Sequence, residues 1–139
     1  MADWKWFAIG SAVFAGLTAI LAKIGVEHLP SNFATLVRTL VVLVFTALLV
    51  GLRHEWPQPG QLPYRSLFFL ILSGLATALS WLCYYRALQG GPASMVAPLD
   101  KLSLVVTVGL AVFVLGERLT MWQWCGALLM GAGAVLMVI

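Results

Sequence analysis

The residues with chemistry to offer are ionisable side chains set inside apolar runs. Asp100 and Lys101 stand side by side in "MVAPLDKLSLVV", Met95 to Val106. Arg38 lies within "LVRTLVVLV", and Lys23 and Arg86 lie near the ends of two further apolar runs. A charge in hydrocarbon costs several kcal/mol, so each requires a partner, water, a headgroup or a ligand. Neighbouring helical residues point about 100° apart. Asp100 and Lys101 are therefore expected to satisfy each other poorly and to look elsewhere. Arg38 enters its run to a depth of about 9 Å at the usual helical rise. Lys23 and Arg86 are close enough to helix ends for snorkelling to headgroups to account for them.

Aromatic and hydroxyl groups collect near these charges. Thr77, Trp81 and Tyr84 share one helical face, with Tyr85 and Arg86 beside them. Aromatics with polar tips can hold an amphipathic ligand. An interfacial aromatic belt accounts equally for Tyr84 and Tyr85, but less well for Trp81, which lies deeper. The pathway candidates are thus Lys23, Arg38, Thr77, Trp81, Tyr84, Tyr85, Asp100 and Lys101.

Composition sets the environment for these residues. Of 139 residues, 62% are hydrophobic and only 9% are charged. Soluble domains carry about 25% charged residues, so these charges cannot cover a water-exposed globule. An all-α integral membrane protein is expected, with the lipid bilayer as its solvent. The net charge of +3 comes from scattered basic residues that read as topology signals, which argues against nucleic acid as a partner. Cys83 and Cys125 fall within apolar runs, so a disulfide is not expected.

Five segments approach the roughly 20 residues needed to span the hydrocarbon core. They cover residues 6–25, 32–52, 66–88, 94–115 and 120–139, and together form one domain over residues 1–139. "QGGP" ends the third, Gly116 ends the fourth, and Thr120 with Gln123 has capping-box spacing at the start of the fifth. The long connection "RHEWPQPGQLPYR", Arg53 to Arg65, is expected as a loop. Pro98 leaves two readings open. It either bends a fourth helix that begins near Ser94, freeing the Ser94 carbonyl, or it is that helix's first residue. In the second case the helix dipole would favour Asp100.

The eight basic residues divide evenly. Lys5, Arg53, Arg65 and Arg118 fall in loops on the N-terminal side. Lys23, Arg38, Arg86 and Lys101 fall in the opposite halves of their helices. The positive-inside rule is then ambiguous, and the balanced signals leave insertion in both orientations open. The fifth segment, "CGALLMGAGAVLMV", carries Gly126, Ala127, Gly131 and Gly133. Such small residues permit close helix approach, within one subunit or at a dimer face.

The stretch from Tyr84 to Val138 resembles the second half of an EamA domain of the drug/metabolite transporter superfamily. The resemblance rests on Ala87-Leu88 before the Gly-Pro turn, Pro98, "LGERLT" at Leu115 to Thr120, and Gly126 with "GAG" at Gly131 to Gly133. "AILAKIGVE" and "LVRTLVVLV" extend it to the first half. It implies half of an inverted-repeat secondary transporter in a bacterial or archaeal inner membrane, multi-pass, exporting or exchanging a small metabolite by alternating access. An antiparallel, dual-topology homodimer, or a heterodimer with a related half, would complete the fold. Helices 1 to 3 would contribute to the pathway and helices 4 and 5 to scaffold and dimer contacts. The net positive charge of the embedded residues favours an anionic or amino-acid-like substrate. A non-transporting subunit that pairs with another membrane protein is the alternative. No nucleophile–base set, metal cluster or phosphate loop is evident, so enzymatic activity, a cofactor and a metal are not expected.

Overall fold

The computed structural model describes residues 3–58, 60 and 62–139. The elements run α1 (Asp3–Val26), α2 (Ser31–Leu52), α3 (Tyr64–Gly90), α4 (Ala93–Asp100), α5 (Ser103–Leu115) and α6 (Met121–Leu136). Among the described residues there are no strands. Four stretches are long and apolar enough to span a bilayer: Trp4–Val26, Ser31–Leu52, Tyr64–Gly90 and Ala93–Leu115. α6 is shorter, about 24 Å at the usual helical rise. Phe14, Leu70 and Phe113 remain 69%, 68% and 87% exposed. In water such surfaces would drive aggregation; in a bilayer they face acyl chains. The chain is a multi-pass, all-helical membrane protein.

The expected segments are present, with revised ends. α1 and α3 extend beyond 6–25 and 66–88, and α3 takes in Tyr64 and Arg65 from the proline-rich loop. α6 stops at Leu136 rather than at the C-terminus. The fourth segment differs most. α4 begins after Pro92 and contains Pro98, so the reading in which the helix starts at Pro98 is corrected. The lost Pro98 N–H does not end the helix at once. The break comes at Lys101 and Leu102, whose amides bond three residues back to Pro98 and Leu99 at 3.0 Å each. This tight turn separates α4 from α5.

Local signals explain the other ends. Pro30 and Pro92 precede α2 and α4, and their carbonyls accept from the Ala34 and Val96 amides. Gly116 ends α5 at φ 69°, a left-handed conformation suited to glycine, and the Glu117 amide returns to the Ala111 carbonyl at 3.1 Å. At the start of α6, the Thr120 amide donates to Gln123 Oε1 at 2.8 Å, as the capping-box spacing predicts.

The chain divides into two compact units. One is Leu21–Gln89; the other joins the first part of α1 to Gly90–Ile139. In the first, Val26 and Leu88 are fully buried, and Ser31, Thr35 and Tyr85 are buried too. In the second, α5 and α6 meet where Gly131 faces Val105.

Candidate functional site

The most distinctive group lies in the Leu21–Gln89 unit. Arg38, on α2, places its guanidinium carbon 3.3 Å from the centre of the Trp81 ring on α3. That distance fixes the orientation. Were the guanidinium edge-on, a nitrogen one ~1.3 Å bond further would stand about 2 Å from the ring, well inside contact distance. The group must lie flat on the indole. Its N–H fork then points sideways, parallel to the ring, and a flat cation over tryptophan is strongly favourable when desolvated.

Helical spacing builds the rest of the cluster. Tyr84 and Tyr85 follow Trp81 by one turn of α3, so both rings return towards the indole. Tyr84 meets Trp81 edge to face at 5.4 Å and 80°, and Tyr85 is tilted against it at 5.7 Å and 58°. Tyr85 is buried, whereas Trp81 and Tyr84 are partly open. Among the described residues, no hydrogen bond to the Arg38 guanidinium forms, and none of its nitrogens is sealed away without a partner. The fork is reachable and uncommitted.

Thr77 is on the expected face, but its hydroxyl donates to the Ser73 carbonyl at 2.8 Å within its own helix. Lys23 also differs from a snorkelling residue. Its ammonium donates to the Leu88 carbonyl at 2.6 Å, at the C-terminal end of α3. A cation there complements the helix dipole. Sequence reasoning passed over the neighbouring Gln89, whose amide donates to the Leu29 carbonyl at 2.7 Å and approaches that of Val26 at 3.4 Å. Together Lys23 and Gln89 tie the end of α3 to α1 and to the turn after it. A long polar side chain just before "GGP" was the available signal.

Asp100 and Lys101 belong to the second unit. Contrary to the expectation from helical spacing, the two approach each other, with Lys101 Nζ 3.6 Å from Asp100 Oδ2. The backbone directions do diverge, but the four-carbon lysine stem is long enough to curl back. The distance exceeds that of a good charge-assisted hydrogen bond, and both side chains are partly exposed, so the mutual stabilisation is small. Lys101 also contributes to an open apolar groove of about 370 Å³, lined by Ala97, Pro98, Met130, Ala134 and Met137. Further along α5, the Thr107 hydroxyl is taken up by the Ser103 carbonyl at 2.8 Å. Among the described residues, no group of three or more His, Cys, Asp or Glu side chains could hold a metal ion.

Comparison with known proteins agrees with the reading of a multi-pass membrane chain. Residues 4–139 match the EamA-like transporter family. The chain belongs to that family. It is 48% identical over 137 residues to a protein of Sinorhizobium sp described as "Uncharacterized transporter in cobO 3'region". The match covers 99% of this chain and 97% of that protein. It is also 31% identical over 128 residues to an uncharacterized protein of Methanocaldococcus jannaschii, covering 92% of this chain and 90% of that one. No solved structure matches.

As a single EamA unit, this membrane transporter carries its small-residue stripe on α6. Gly131 is engaged within the subunit: a Cβ there would stand 3.1 Å from Val105 Cγ2. Gly126 and Gly133 differ, since a Cβ on either would meet nothing within 4 Å. Ala127 is half-buried. The stripe thus divides into one position used for packing and others that leave space.

Proposed function

We propose that the chain is a secondary transporter of a small anionic or amino-acid-like metabolite, working by alternating access as a dimer. The observation that carries this reading is the Arg38 guanidinium, inside a membrane span, stacked on Trp81 with its N–H fork uncommitted among the described residues. Embedded charges mark substrate or ion pathways more often than they stabilise a fold, because hydrocarbon penalises them. Trp81, Tyr84 and Tyr85 supply apolar walls with polar tips, the mixture that an amphipathic solute needs.

The family match and the distribution of charge support a dimer. This one unit covers 97% and 90% of the two relatives. An inverted repeat built from such a unit requires two copies in opposite orientations, or one copy and a related half. The evenly divided basic residues favour insertion both ways. Arg38, Thr77, Trp81, Tyr84 and Tyr85 are the proposed pathway residues, and Lys23, expected among them, is proposed instead to hold the ends of α1 and α3 together. In the other unit, Asp100 and Lys101 are proposed as functional charges, and Gly126, Ala127, Gly131 and Gly133 as packing and dimer positions.

The test is uptake by purified protein in sealed proteoliposomes, using a mixed pool of labelled amino acids, organic acids and amines. Uptake above protein-free vesicles that falls on Arg38→Gln, with folding retained, supports the reading. Absence of uptake, together with co-purification of a larger obligate membrane partner, would favour a non-transporting subunit instead.

A further inference from the structure

The flat Arg38–Trp81 stack says more about the solute than its sign, and this step rests on the transporter reading above. We infer that Arg38 receives a single planar carboxylate edge-on through its N–H fork, while Trp81 acts as a positioning residue that fixes the plane of the guanidinium.

The argument begins with the occupied face. With the guanidinium carbon 3.3 Å from the indole centre, one face of the cation is covered. Approach in the guanidinium plane leaves two parallel N–H groups for a ligand, the geometry that fits a carboxylate bidentately. A stacked guanidinium is also held against rotation, so less freedom is lost when the ligand binds. Trp81 is in turn braced by Tyr84 and Tyr85 at 5.4 and 5.7 Å.

Charge narrows the ligand further. One guanidinium balances one negative charge. A dianionic phosphate would bring an uncompensated charge into the span, which costs far more than a balanced pair. An amine would meet a fixed like charge. Neutral amides match the shape of a carboxylate but place an N–H where the fork needs an acceptor. The expected order is therefore carboxylate first, with amide, amine and phosphate monoester of the same skeleton well behind.

A matched series tests this: benzoate, benzamide, benzylamine and phenyl phosphate, with the aliphatic set built on hexanoate beside it. Each is titrated against purified full-length protein, reading thermal stability in detergent, and is then used to compete uptake of the mixed pool in phosphatidylcholine vesicles. Carboxylates should bind and compete, and Arg38→Lys, which keeps the charge but loses the fork, should weaken them at least about tenfold. Trp81→Phe should retain most of the affinity and Trp81→Leu should lose it. Thermal unfolding of each variant without ligand, in the same detergent, shows which are folded.

Equal binding of amine or amide, or unchanged carboxylate affinity in Arg38→Lys, overturns the inference. Pool uptake that no carboxylate inhibits overturns it while leaving transport standing; no uptake of any pool member overturns both. Adding phosphatidylserine to the vesicles separates the sources of the carboxylate. Competition by the lipid against benzoate would assign the fork to a headgroup and overturn the solute assignment.

Discussion

Lys23 and the Leu88 carbonyl are joined by a 2.6 Å hydrogen bond that ties the end of α1 to the end of α3. This structural tie changes what mutation of Lys23 should do. A hydrogen bond to a charged group contributes about 1.5–3 kcal/mol. Lys23→Met should therefore lower thermal stability in detergent clearly, and lower uptake only in proportion to the folded protein recovered. Unchanged stability with lost uptake would return Lys23 to the pathway.

Legibility from sequence was uneven, for physical reasons. Span positions and the Thr120–Gln123 cap were readable because hydropathy and capping are local properties. The cluster of Trp81, Tyr84 and Tyr85 was readable from helical spacing alone. The stacking of Arg38 on Trp81 was not, since it depends on how α2 and α3 face each other. The α4–α5 break was half-visible: Pro98 marked a weak point, but the turn formed after Asp100. Spacing also misjudged Asp100 and Lys101, because it describes where side chains start and not how far a flexible one reaches.

Gly131 is expected to be the α6 glycine that resists enlargement. Its missing Cβ would sit 3.1 Å from Val105 Cγ2. Gly131→Leu should overpack the α5–α6 contact and cost about 1–3 kcal/mol. Val105→Ala in the same chain should recover part of that loss, and the four chains of this double-mutant cycle measure the coupling. Gly133→Leu has open space before it and should leave the stability of the single subunit nearly unchanged. A drop in the dimer fraction on crosslinking would then place Gly133 at the subunit contact.

His54 follows α2 at φ 53°, the left-handed conformation, while the Glu55 amide returns to the Val50 carbonyl at 3.0 Å. The position is that of a helix-ending glycine occupied by a residue with a Cβ. Left-handed backbone costs such a residue about 1–2 kcal/mol, partly offset by the greater freedom glycine loses on folding. His54→Gly should raise stability by up to about 1 kcal/mol with uptake unaffected, whereas His54→Val should lower it. Thermal unfolding of the two variants beside the parent reads the difference, and a destabilised glycine variant would contradict the strain.

The balance of basic residues predicts a topology that small changes can tip. Lys5, Arg53, Arg65 and Arg118 lie in loops or first helical turns towards the N-terminal side and the other four in the opposite helix halves, so neither orientation is favoured. C-terminal fusions to reporters active on opposite sides of the membrane should both give signal. Adding two lysines to the loop between α2 and α3 should bias the chain towards one orientation, and removing Arg53 and Arg65 should bias it towards the other. If two opposed copies are required, each biased variant alone should lose uptake, and co-expression of the two should restore it. Full uptake by either biased variant alone would reject the antiparallel pair, whatever the reporters show for the parent chain.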